Sequence, residues 1–315
     1  MDLRRQLQDA LEGAYTLERE LPRGGMSRVF VARELALGRR VVIKVLAPEL
    51  AATLSAERFK REITLAARLQ HPNIVPLLSA GQAGTSLYYT MPLVDGESLR
   101  ERIDRERPMS FTAIYRVLEE VAGALAYAHS EGIVHRDIKP ENVMFFHGRA
   151  VVLDFGIGKA VTAAIRDDSE VRITLAGTSL GTPAYIAPEQ ASGDPSLDQR
   201  ADIYALGVVG YEMIAGHPPF RGKTPQAIMA AHARETPPAL GSRRSGVPPE
   251  LARIVTRCLE KDPADRPQYA GEIVTALSRR DSLSHPAARR APIPNWIPWA
   301  VAVISTTVAL ALAFR

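Results

Sequence analysis

The spacing of apolar residues changes several times along the chain, and each change predicts an element. Leu3, Leu7 and Leu11 recur every fourth residue, which predicts a short amphipathic helix over 2–12. Tyr15 to Glu20 reads as a strand. It leads into Leu21-Pro22-Arg23-Gly24-Gly25-Met26-Ser27-Arg28-Val29-Phe30, a glycine turn followed by a second strand. Val41 to Leu46 is apolar at every position except Lys44. Over 56–69, Phe59, Ile63, Ala66 and Ala67 share one helical face, with Glu62 beside them. A strand pair follows, ending in Tyr88–Val94. Ile114, Val117, Leu118, Val121, Leu125 and Ala128 then predict a long buried helix, closed by Gly132. Another helical run covers Leu251–Leu259. Residues 279–295 are rich in Arg, Pro, Ala and Ser and read as a linker. Trp296 to Phe314 is an uncharged run that, as a helix, reaches about 28 Å, close to the thickness of a hydrocarbon core.

Composition changes this picture in three places. The 315 residues, 46% of them hydrophobic, suit one large or two modest globular units. The five arginines and one aspartate after residue 278 carry the whole net charge of +4, so residues 1–278 are neutral and nothing marks a nucleic-acid-binding face. The single cysteine, Cys258, excludes an intrachain disulfide framework, fits a reducing compartment and reads as a core residue of its helix. The N-terminus carries charges at Asp2, Arg4, Arg5, Asp9 and Glu12 and does not read as a secretory signal. At the other end, Arg289 and Arg290 precede the apolar run, and Trp296 and Trp299 suit a membrane interface. The two arginines favour keeping the side that bears residues 1–278 in the cytoplasm.

The candidate chemistry lies in His135-Arg136-Asp137-Ile138-Lys139-Pro140-Glu141-Asn142, and in Asp154-Phe155-Gly156 across a predicted hairpin. A carboxylate can orient a hydroxyl and accept its proton, and an ammonium can neutralise a moving phosphoryl group. An amide and a second carboxylate can hold hard cations through oxygen. Lys44, in the middle of an apolar strand, needs a partner or a ligand. The segment 157–186 is long for a compact domain, which marks it as functional.

Taken together, these stretches resemble the catalytic loop and metal-binding triplet of bacterial eukaryotic-like (Hanks-type) serine/threonine protein kinases. The resemblance runs in order over about residues 15–278. Gly25-Met26 resembles the Gly-Gly-Met of many bacterial members, although Pro22 and Ser27 stand where the common glycine-loop pattern has glycines. The resemblance implies an α+β, two-lobed fold, with a small β-rich lobe over 15–92 and a larger helical lobe over 96–278. An extension at 1–14, the linker and a transmembrane helix at 296–314 would flank it. It implies ATP bound by Leu21, Gly24, Gly25, Val29, Val42, Lys44, Met91, Leu93 and Met144, with Met91 as gatekeeper and Pro92-Leu93-Val94 as hinge. Mg²⁺, with Mn²⁺ as an alternative, would be held by Asn142 and Asp154.

The same resemblance makes Asp137 the hydroxyl-orienting base, assisted by Lys139, Lys44 and Glu62. It pairs Lys44 with Glu62, and Glu189 with Arg266. His135 becomes a structural residue, Asp202 the anchor of the loop backbone, and Thr182 a bridge between Asp137 and Lys139. Phosphorylation of Thr174, Thr178 or Ser179, in trans between membrane-tethered copies, would order the loop through Arg136 and Lys159. The implied partners are protein Ser/Thr hydroxyls, a second copy of the chain and the inner membrane. The run at 296–314 would serve either as a tail anchor or as a span leading to an outer domain. The alternative readings are a nucleotide-binding scaffold whose site has decayed, favoured only by Pro22 and Ser27, and a small-molecule phosphotransferase sharing the loop, opposed by Ala187-Pro188-Glu189 and Thr182.

Overall fold

The computed structural model describes residues 3–21, 27–46, 56–155, 183–194 and 196–284, without the side chains of 56–58, 62 and 279–284. The chain divides at Leu277, and of the second unit only the end of one helix, Ser278–Ser284, is described.

Five antiparallel strands build the first lobe: β1 (Tyr15–Glu20), β2 (Ser27–Glu34), β3 (Arg39–Leu46), β4 (Ser79–Ala83) and β5 (Ser86–Pro92), in the order β1-β2-β3-β5-β4. Side chains alternate across a strand, and here both faces are covered. Val41, Ile43 and Val45 face one apolar cluster, shared with Phe30 and Leu17. Val42 and Leu46 face another, shared with Phe59, Ile63 and Met91. This explains why β3 reads as a continuous apolar run. It also puts Lys44, in phase with Val42 and Leu46, on the second face.

The first face is closed by α1 (Leu3–Ala10). Leu7 and Leu11 bury into it, and the Gln8 side chain accepts from Leu17 N–H (2.8 Å) and donates to Tyr15 O (3.1 Å). The second face carries α2 (Ala56–Ala66), shorter than the 56–69 run because a turn through Leu69 ends it.

The crossing to the second lobe passes Gly96, where an added Cβ would lie 2.0 Å from Phe145 O, so only glycine admits this approach of two backbones. The second lobe contains α3 (Leu99–Arg105), α4 (Phe111–Ser130) and the hairpin β6 (Val143–Phe146) and β7 (Arg149–Val152). After them come α5 (Pro188–Ala191), α6 (Arg200–Ala215), α7 (Pro225–Arg234), α8 (Leu240–Arg243), α9 (Pro249–Cys258) and α10 (Ala270–Ser284). Ser110 caps α4 by accepting from Ala113 N–H. Gly132, at φ 74°, turns the chain out of the helix towards His135.

Helix α6 is buried along nearly all its length, as a helix apolar on all sides must be. Gly207 lets α9 approach so closely that an added Cβ would sit 2.6 Å from Cys258 Cβ. Cys258 is therefore a core residue, and burial pushes its thiol up to about 12. Helix α10 runs to Ser284, so the first six residues of the stretch expected to be linker are helical. Among the described residues no helix is long and apolar enough to cross a membrane, and 296–314 lies outside them.

The expected ion pair between Glu189 and Arg266 is present and paired on both oxygens, at 2.7 and 2.9 Å. Arg266 is fully buried and also donates to the carbonyls of Arg200, Glu260 and Lys261. Removing one member of such a pair strands the other. Arg266→Ala should therefore cost about 3–5 kcal/mol of unfolding free energy, measured by urea denaturation. A loss within the ~1 kcal/mol of a surface pair would contradict this reading.

Candidate active site

The 135–142 loop is held from below by one carboxylate. Asp202, on the first turn of α6 and 1% exposed, accepts His135 N–H on Oδ2 (2.8 Å) and Arg136 N–H on Oδ1 (2.7 Å). His129, at the end of α4, adds a contact from Nε2 to Oδ2 (2.8 Å). Burial alone would raise the Asp202 carboxyl, but His129 and the Arg136 amide outweigh it and hold the group below its ordinary value. Arg136 takes φ 68°, a left-handed conformation costly for a side-chain-bearing residue, and its carbonyl accepts from Gln190 Nε2 at 2.8 Å.

His135 has both ring nitrogens engaged. Nε2 meets Leu153 O (2.7 Å), and Nδ1 accepts Asp137 N–H (3.2 Å). With both nitrogens occupied, none is left to act as a base. Phe155 packs edge-on to the ring at 4.7 Å.

Asp137 reaches Lys139 Nζ (2.7 Å) and Asn142 Nδ2 (3.0 Å), both through Oδ2. Among the described residues nothing bonds Oδ1. The side chain is 43% exposed, so a substrate hydroxyl can reach it. Asn142 Nδ2 also donates to Asp137 O (2.8 Å). Two acceptors on one side fix which end of the amide is nitrogen, so its oxygen faces away from Asp137 and is available to a cation. Leu153 N–H bonds to Asn142 O (2.9 Å), which ties the loop to the strand leading into Asp154.

Asp154, at φ 64°, meets Lys44 through Oδ2 and the Tyr89 hydroxyl through Oδ1, the latter at 2.8 Å. Burial would raise its carboxyl, yet Lys44 and the Tyr89 hydroxyl together keep it below the ordinary value. Lys44 was expected to pair with Glu62; the partner described is Asp154, and the Glu62 side chain lies outside the described residues.

Above this group, Val42 and Met91 face each other across β3 and β5. Val29, Leu93 and Met144 extend the same apolar wall, half-buried, and Leu21 N–H bonds to Val29 O (2.8 Å). The wall fits a flat base with apolar faces. Among the described residues no three His, Cys, Asp or Glu side chains form a metal cage. The oxygens of Asn142 and Asp154 instead fit a hard cation shared with phosphates. Gly24, Gly25, Thr174, Thr178, Ser179 and Thr182 lie outside the described residues.

Besides His129 on Asp202, the contacts of Tyr89 and Arg100 have no counterpart in the sequence reading. Tyr89, in a strand of apolar and aromatic residues, is placed opposite Lys44 by the strand register. Arg100 of α3 binds Glu212 through two nitrogens (2.9 and 3.0 Å), meets Glu141 (3.1 Å) and touches the Tyr185 hydroxyl. It thereby joins the loop to the segment before Ala187-Pro188-Glu189.

This arrangement is that of a protein kinase domain. Residues 15–277 match the family described as "Protein kinase domain", and the chain belongs to it. It is 40% identical over 275 residues to serine/threonine-protein kinase PknB of Mycobacterium tuberculosis, a match covering 85% of this chain and 43% of that protein. It is 39% identical over 284 residues to PknB of Mycobacterium leprae, covering 88% and 44%. Similarity to serine/threonine-protein kinase pkn3 of Myxococcus xanthus is 39% over 276 residues, covering 85% and 50%. The chain thus spans half or less of the length of these relatives.

Proposed function

We propose that this chain is an ATP-dependent protein kinase that phosphorylates serine and threonine hydroxyls of proteins. The observation that carries the reading is the joined set Asp137, Lys139 and Asn142, linked through Leu153 to the clamped carboxylate of Asp154. Oδ1 of Asp137 orients the attacking hydroxyl and takes its proton, while Lys139 balances charge on the same side. Lys44 turns to the nucleotide phosphates. Val29, Val42, Met91, Leu93 and Met144 grip the base. Asn142 Oδ1 and Asp154 would hold Mg²⁺, with Mn²⁺ as an alternative, and that ion when bound neutralises charge across the phosphates. The choice of serine and threonine is supported by Lys139 and Thr182 in the sequence and by the kind of relatives the chain has.

The test is incubation with labelled ATP, Mg²⁺ and a generic protein substrate, followed by phosphoamino-acid analysis. Phosphothreonine and phosphoserine are expected, with Thr174, Thr178 or Ser179 among the autophosphorylated positions. Asp137→Asn should lower turnover by about 10²–10⁴-fold with ATP affinity little changed. Near-normal turnover would remove Asp137 from its role, and predominant phosphotyrosine would overturn the specificity.

The activating route, phosphorylation in trans between tethered copies, rests on the sequence alone, as does anchoring in a membrane by Trp296–Phe314 with the kinase domain on the cytoplasmic side. On this reading the full chain sediments with membranes and residues 1–278 do not. A full chain that stays in the supernatant without detergent would contradict it.

A further inference from the structure

Lys44 and Tyr89 are direct partners in the antiparallel pairing of β3 with β5. Cross-strand partners present their side chains side by side on one face. Both side chains reach the same carboxylate from adjacent strands, Lys44 at Asp154 Oδ2 and the Tyr89 hydroxyl at Oδ1. Tyr89 is 2% exposed and its ring is set among Val42, Phe59, Ile63 and Met91. Phenylalanine would fill that space equally well. What tyrosine adds is an O–H that cannot reach water and has Asp154 as its partner.

The two clamps differ in freedom. Lys44 is a flexible cation with a second destination, the phosphates of a nucleotide. Tyr89 is a rigid ring packed into a core, with no second destination. When Lys44 leaves, the hydroxyl remains on Asp154. A carboxylate oxygen has two lone pairs, so Oδ1 can accept from Tyr89 and still face a cation. Asp154 itself sits at φ 64°, on a turn away from regular strand geometry, where a side-chain anchor limits how the carboxylate swings.

We propose that Tyr89 is a positioning residue for metal binding: its hydroxyl holds Asp154 in one orientation while Lys44 turns to the nucleotide. The proposal rests on the reading of Asp154 as a metal-holding residue. Donors behind a metal ligand typically change affinity or activity by about 10–100-fold when removed.

The experiment uses the full chain and its Tyr89→Phe variant, with Asp154→Ala as control. Binding of Mn²⁺ in the presence of ADP is followed by electron paramagnetic resonance, and the Mg²⁺ concentration for half-maximal phosphotransfer is measured separately. In Tyr89→Phe, Mn²⁺ affinity should fall by about 10–100-fold. The half-saturating Mg²⁺ should rise to match, while the KM for ATP at saturating metal stays as in the wild type. A ring that only fills space would leave both metal readouts unmoved, and that result overturns the proposal. Tighter Mn²⁺ binding would also overturn it, by showing that the hydroxyl competes with the ion. If Asp154→Ala binds Mn²⁺ with ADP as the wild type does, the metal assignment itself fails. If only Tyr89→Phe does so, the positioning role fails alone.

Discussion

The 135–142 loop depends on the Asp202 carboxylate. A loop cannot hydrogen-bond to itself as a helix does, so its buried N–H groups need acceptors from elsewhere. Asp202 supplies one oxygen to each of two successive amides, His135 and Arg136, and takes a third contact from His129. Those amides lead into the left-handed turn at Arg136, and Asp137 follows directly. The carboxylate sits on a helix buried on all sides, which gives it a rigid base. Charge-assisted bonds in such surroundings are stronger than neutral ones. The position of Asp137 is thus set from beneath by α6 rather than by the loop's own sequence.

The first lobe solves a different problem, holding charged groups against an apolar sheet. Alternation along β3 sends Val41, Ile43 and Val45 under α1 and sends Val42, Lys44 and Leu46 to the other face. On that face Lys44 is surrounded by hydrocarbon, and the pair with Asp154 makes its charge tolerable. The Tyr89 hydroxyl takes the second oxygen, so both oxygens of the carboxylate have a donor. Further down, Glu189 with Arg266, and Tyr185 with Arg100 and Glu212, fasten the segment beyond residue 183 to the helical lobe.

Much of the site was legible because its residues are close in sequence. Asp137, Lys139 and Asn142 fall within one loop, and the β6–β7 hairpin fixes the distance to Asp154, so spacing alone suggested that they meet. Asp202 and Arg266 are distant in sequence, and only the kinase resemblance pointed to their partners. Tyr89 and His129 stayed hidden because a tyrosine in an apolar strand and a histidine near a helix end usually mean ordinary packing. Strand register and helix orientation decide otherwise, and neither can be read from composition. The helix expected over 56–69 ends at Ala66 in a turn, and α10 extends past residue 278, because helix ends depend on tertiary contacts that periodicity does not report.

Amide hydrogen exchange tests most directly whether Asp202 organises the loop. In the wild type, the amides of His135 and Arg136 should be protected although they lie in a loop. Asp202→Asn leaves one carbonyl oxygen where two were used, and turns an N–H₂ towards a donor. Loss of a charge-assisted bond should speed exchange at these two amides by roughly 10–100-fold, while amides in the middle of α4 keep their rates. Unchanged protection of His135 and Arg136 in Asp202→Asn would contradict the account, because the loop would then be held by something other than this carboxylate.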